Sequence, residues 1–202
     1  MENLQNLILS SKAEHSQSIG DFVENGARVP NSDLRKVATA LDSHQVSEET
    51  AELLRDLYLQ TSCEEQYAFR LYFARPEVSE KLTTPGTRIA DFGVQSASIH
   101  LPHAENWQLE HPTEATEKFI FVLDKNVPKQ NISTGFLPDL VAVMPGEVLE
   151  VSDVAELPGT TYIMLKAVQM QSDQPVYSPF DGTAYVNLSA KKDYLTSFQT
   201  PK

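Results

Sequence analysis

The chain has 202 residues, 41% of them hydrophobic and 22% charged, which are the proportions of an ordinary globular protein. No apolar run approaches the ~20 residues that a membrane span requires, and MENLQNLILSSKAEH has no basic segment ahead of its short apolar run, so neither a membrane span nor a secretory signal is expected. The formal net charge of −12 argues against broad attraction to nucleic acid or anionic membrane, although Arg70, Arg75, Lys81 and Arg88 leave scope for a local basic site. The single cysteine, Cys63, excludes an internal disulfide and fits a reducing, cytoplasmic setting.

In chain order, the first ~60 residues read as helical. NLQNLILSS suits one short helix, and Ser18 or Asp21 suits the cap of a second turn. SDLRKVATALDSH sets Leu34, Val37, Ala38 and Leu41 at helical spacing, with Ser32 or Asp33 as the expected cap. SEETAELLRDLYLQ is a stronger signal: Ser47, followed by Glu49 and Thr50, opens a helix whose apolar stripe is Leu53, Leu54, Leu57 and Tyr58. Such a stripe predicts core packing.

From residue 66 the texture changes. QYAFRLYFA, RIADFGVQSASI, KFIFVLDK, DLVAVM, EVLEVSDVAEL, TYIMLKAVQM and TAYVNLSA are short, β-rich and separated by Pro, Gly or polar turns. HAENWQLEHPTEATE is a helical or irregular excursion among them, and the tail YLTSFQTPK is expected to be loosely held. The plan is α+β, with a helical part over 1–62 and a mostly antiparallel, β-rich core over 63–202.

Several chemistries lack their motifs. GxxxxGK[ST], GxGxxG and GxSxG are all missing. HLPH (100–103) has metal-like spacing, but without HExxH or paired cysteines it reads as polar histidines near a strand end.

Three short features remain. AFRLYFA carries one arginine, Arg70, among apolar neighbours. Facing inward it is costly unless an anion meets it, and a guanidinium is suited to gripping a phosphate or carboxylate; facing outward it is simply solvated. In DFGVQSAS, Ser96 and Ser98 lie two apart and share a strand face. ISTGFLPD then runs into LVAVM, Pro145-Gly146, EVLEV and the closing strand TYIMLKA.

This succession, from residue 33 to 170, resembles the ADP-ribosyltransferases of the Arg–Ser–Glu class, particularly the small bacterial toxins and T-even phage enzymes. The resemblance implies N-terminal helices packed on a split two-sheet β-sandwich that holds NAD between its sheets. It implies transfer of ADP-ribose from NAD to a macromolecular acceptor, and places Arg70 at the phosphates or ribose. Ser96 is implied to hold the catalytic glutamate and the nicotinamide-side ribose, with Ser98 beside it in the serine motif. Trp107 falls where the chain closes over the cofactor, either stacking on a ring or filling a small core. The loop 133–141 is implied to recognise the acceptor, with Phe136 as an exposed aromatic and Asp139 and Leu140 at the loop's end.

One position departs from the family's pattern. A glutamate is expected just ahead of the branched apolar run and Pro-Gly turn, where this chain reads Leu140-Val141-Ala142. Ala142 stands at the catalytic position, and a methyl group cannot stabilise an oxocarbenium-like transition state. Three accounts are open: an engineered Glu→Ala substitution that spares the expression host, a shifted register in which Asp139 or Glu147 acts, or a naturally silent binding or scaffold domain. Arginine-modifying members carry a carboxylate where Leu140 stands, so another protein side chain or a nucleobase is the expected acceptor. An intracellular toxin of bacterial or phage-related origin, held by an inhibitory partner protein, follows from the same resemblance.

Overall fold

The computed structural model describes residues 28–39, 45–63, 65–106, 117–134, 138–170 and 174–199. The expected first helix, the caps at Ser18 or Asp21, and Leu41, Trp107 and Phe136 lie outside the described residues.

Helix α1 is Arg28–Thr39 and α2 is Glu48–Leu59. α1 begins upstream of the expected cap at Ser32 or Asp33, because Pro30 falls in the first turn, where proline is tolerated. Asp33 instead reaches the next helix, its Oδ2 accepting from Ser47 N at 2.7 Å. Ser47 caps α2 as expected, its Oγ accepting from Thr50 N, while Glu48 and Glu49 favour the positive end of the helix dipole. Leu34, Leu53, Leu54 and Leu57 are buried.

The remaining elements are β1 (Ala68–Ala74), α3 (Pro76–Leu82), β2 (Arg88–Ile89), β3 (Gln95–Ser98), α4 (Leu101–Asn106), β4 (Glu117–Leu123) and β5 (Gln130–Asn131). After them come β6 (Leu140–Val143), β7 (Leu149–Leu157), β8 (Thr160–Ala167), β9 (Val176–Tyr177) and α5 (Leu188–Thr196). Among the described residues the strands pair in the order β5-β6-β3-β1-β4-β8-β7-β2-β9, antiparallel except for β4–β8 and β2–β9.

The ladder is weakest between β3 and β1. β1 pairs with β4 along its whole length, but with β3 only at Phe69↔Ser98. Beyond that pair the strands diverge, leaving β5-β6-β3 and β1-β4-β8-β7-β2-β9 as two sheets joined at one point. This is the split β-sandwich of the expected α+β plan.

Alternation along β6 assigns its side chains to two cores. Leu140, Ala142 and Met144 join a cluster with the helices, including Leu34, Leu54, Leu57 and Leu195. Val141 and Val143 join the other cluster with Tyr72, Phe121, Leu149, Val151 and Ile163.

Two expectations near the C-terminus are corrected. TAYVNLSA is not a strand: Ala184 makes a single bridge to Tyr177, and α5 begins at Leu188 after Asn187 takes a left-handed φ of 54°. The tail residues Tyr194 to Phe198 are docked as well, since an apolar residue recurring at helical spacing finds a core. Leu195 is fully buried, Tyr194 accepts a hydrogen bond from Val46 N at 3.0 Å, and the 3-10 turn Ser197–Gln199 closes the segment.

Candidate active site

The site begins with how α1 is fixed to the segment between β2 and β3. Asn31 and Arg35 are four apart and share a helix face. The Asn31 amide works as a strand edge, its Oδ1 accepting from Val94 N at 2.8 Å and its Nδ2 donating to Val94 O at 3.2 Å. Arg35 donates from Nε and Nη2 to the two oxygens of Asp91, both at 3.1 Å, and Asp91 Oδ1 also accepts from Gly93 N at 2.7 Å. The Asp91 side chain is 1% exposed. A Cβ on Gly93 would lie 2.9 Å from both Arg35 Nη2 and Asn31 Cγ, so this close approach requires glycine.

Arg70 follows the one residue pair that joins the two sheets. Its guanidinium turns into the wedge and donates from Nη1 to Ser96 O at 2.6 Å, capping a carbonyl that the diverging ladder leaves without a strand partner. Its Nε is sealed from solvent with no hydrogen-bond partner among the described residues. Burial pulls the guanidinium pKa down, opposed chiefly by the negative charge of Asp91. A cavity of about 150 Å³ opens here, lined by Phe69, Arg70, Leu71, Ser96, Ser98 and Ala104 among others.

Ala142 sits directly opposite Ser96 on the neighbouring strand and directly opposite Gln130 on the other side. Cross-strand partners share a face, so two polar side chains flank one methyl group. Ala142 is fully buried, Ser96 keeps partial exposure, and Gln130 Oε1 is buried without a partner among the described residues.

The other candidates lie around the end of β3. Ser98 is buried; its Oγ accepts from His100 N at 3.1 Å and shares a 3.2 Å hydrogen bond with His103 Nδ1. Asp139, at a left-handed φ of 64°, meets His100 Nε2 at 3.0 Å through its Oδ2. HLPH thus supplies two separate side-chain contacts. Leu140 is buried among the helix-facing apolar residues, and its N donates to Ser133 Oγ. Glu147, beyond the Pro-Gly turn, is bonded to Lys192 of α5 at 3.2 Å.

A larger cavity of about 430 Å³, lined by Arg35, Ser178, Phe180, Asp181, Tyr185 and Lys191 among others, lies on the α1 side of the wedge. The Arg35 guanidinium stands 4.1 Å over the Phe180 ring, and Tyr72 of β1 meets that ring at 5.7 Å. No motif in the sequence marks Asn31, Arg35, Asp91 or Gln130. The i,i+4 polar pair on α1 was the one local signal, and it carried no indication of its partners.

This architecture is the fold of the bacterial ADP-ribosyltransferases. The Vis toxin, an ADP-ribosyltransferase from Vibrio splendidus, superposes with a TM-score of 0.67 at 18% identity, over 87% of this chain and 84% of Vis. Vis in complex with agmatine gives 0.68 at 18% identity, over 86% of this chain and 83% of Vis. C3stau2 from S. aureus, solved with NAD, gives 0.54 at 16% identity, over 82% of this chain and 92% of its own. No protein-family model and no curated protein sequence matches the chain, so the likeness is one of fold.

Proposed function

We propose that the chain is a mono-ADP-ribosyltransferase scaffold that binds NAD in the wedge between its two sheets, with the catalytic carboxylate position occupied by Ala142. The observation that carries this is the placement of Arg70 immediately past the joining pair, bonded to the strand on which Ser96 faces position 142. C3stau2, which shares the fold, was solved with NAD, and this supports NAD as the substrate here.

In the reaction, the bond between ribose C1′ and the nicotinamide nitrogen breaks and nicotinamide leaves with the bonding electrons as a neutral molecule. An acceptor lone pair forms the new bond at C1′, and the acceptor's proton passes to solvent. Arg70 holds the diphosphate or ribose, Ser96 orients the ribose and the residue at 142, and a carboxylate at 142 stabilises the developing positive charge. Ser98 braces this strand through His100 and His103.

The shifted-register account has little support. The carboxylates of Asp139 and Glu147 flank β6 and are engaged by His100 and Lys192, whereas position 142 alone faces Ser96. The orphaned Gln130 Oε1 beside the Ala142 methyl favours a polar side chain at that position. Fully buried alanine also favours a second reading, a silent binding protein on the same fold.

Trp107 and Phe136 belong in this proposal as a cofactor-stacking residue and an acceptor contact. Asp139 and Leu140 end the acceptor loop, and Leu140 in place of a carboxylate disfavours an arginine acceptor. We place the activity in an intracellular toxin of bacterial or phage-related origin, countered by an inhibitory protein. No helix among the described residues is long and apolar enough to cross a membrane.

The test is to incubate the Ala142→Glu protein with NAD labelled in its ADP-ribose portion and with separate pools of RNA, DNA and protein. Label is expected in one macromolecular pool, with protein favoured by the acidic charge. Nicotinamide release with label in none of them would contradict transfer, and no release at all would favour the silent reading.

A further inference from the structure

We propose that Tyr72 is a further binding residue of this site: its hydroxyl and Arg70 Nε form a pair of donors on one strand face that together receive a phosphate group of the dinucleotide. The inference rests on the NAD reading above and adds a contact that neither the motif order nor the fold supplies.

Positions 70 and 72 of β1 alternate onto the same face, where Tyr72 packs with Phe121. Both side chains carry a buried polar atom without a partner among the described residues, Arg70 Nε and Tyr72 Oη, and Tyr72 is 5% exposed. Buried polar groups in folded proteins are nearly always satisfied, so two neighbouring orphan donors on one face point to a missing acceptor.

The phenol cannot turn away to find water. Its ring stacks on Phe121 at 4.6 Å with an interplanar angle of 18°, and Phe180 closes on it at 54°. Burial, reinforced by the charge of Asp91, pushes the Tyr72 pKa well above its ordinary value, so the group keeps its proton and can donate.

The surrounding charges suit an anion. Arg35 and Asp91 pair with each other, which leaves the Arg70 guanidinium as the positive charge acting on the phenol from its own strand face. Asp91 does not serve as the missing acceptor in this structure: its oxygens accept from Arg35 and Gly93 N, and neither Arg70 Nε nor Tyr72 Oη bonds to it. A phosphate offers several acceptor oxygens and can meet both donors at once, as charge-assisted bonds favour.

Calorimetric titration of the full chain and its Tyr72→Phe variant with NAD and with inorganic pyrophosphate tests this, together with thermal unfolding of both proteins without ligand. The variant is expected to bind NAD and pyrophosphate about tenfold more weakly, the scale of one lost hydrogen bond to a charged group. Its unliganded form is expected to melt higher, because an unsatisfied buried hydroxyl is gone. Equal NAD affinity in the two proteins would overturn the role of Tyr72 and leave the NAD reading standing. Tyr72-dependent binding of pyrophosphate without binding of NAD would keep the donor pair and overturn the NAD reading, while binding of neither overturns both. A lower melting temperature in the variant would show the hydroxyl already satisfied within the protein and would also overturn the proposal.

Discussion

The Ala142→Glu protein is expected to release nicotinamide from NAD on the order of a thousandfold faster than the parent, the worth of ~3–4 kcal/mol of preorganised charge stabilisation. The residue at 142 faces Ser96 across one strand pair and Gln130 across the other, so a carboxylate there has a hydroxyl and an amide to hold it. Without such partners a buried glutamate would take up a proton instead of stabilising a cation. Ala142 is fully buried, and the larger side chain is expected to cost about 1–3 kcal/mol of stability through overpacking. Two variants separate charge from shape. Ala142→Gln matches the volume without the charge and is expected to recover little turnover, and adding Ser96→Ala to Ala142→Glu is expected to remove much of the gain. A steady-state nicotinamide assay on these proteins reads the outcome, and no gain with glutamate would leave the silent-scaffold reading in possession.

The second large effect concerns the frame of the wedge. Asp91→Ala is expected to destabilise the fold by about 2–3 kcal/mol, a fall in melting temperature of roughly 4–12 °C for a chain of this size. Asp91 is 1% exposed and accepts three hydrogen bonds, two from Arg35 and one from Gly93 N. Removing it leaves the Gly93 N–H without that acceptor, while Arg35, with a side chain 36% exposed, can recover part of its hydration. That exposure places the expected loss below the ~3–5 kcal/mol of a fully buried pair. Asp91→Asn keeps an acceptor for Gly93 N and is expected to lose about half as much. Thermal unfolding followed by circular dichroism measures both, and unchanged melting in the alanine variant would contradict the clamp between α1 and the β2–β3 segment.

The sequence made the local elements legible where one periodicity dominated. α2 could be read from its cap at Ser47 and its stripe of Leu53, Leu54 and Leu57, and β1 from AFRLYFA. The residues alone indicated an α+β plan, and the split sandwich was anticipated through the family resemblance carried by the order of an arginine strand, a Ser-x-Ser strand and a strand before Pro-Gly. Contacts between distant segments were not legible. Nothing near Asn31 or Arg35 indicates residues 91–94, and nothing near Gln130 indicates Ala142, since these meetings exist only once the sheet has formed. The C-terminal segment misled for a related reason. TAYVNLSA has strand-like residues, but Leu188 and Leu195 gain more by closing the helix-side core than a strand would gain at the sheet edge.

The most direct test of the wedge as the dinucleotide site is a crystal structure of the chain soaked with NAD. The expected result is a diphosphate held by Arg70, with the nicotinamide-side ribose beside Ser96 and its C1′ turned toward position 142. A dinucleotide seated elsewhere on the protein, with the Arg70 guanidinium still bonded only to Ser96 O, would contradict it.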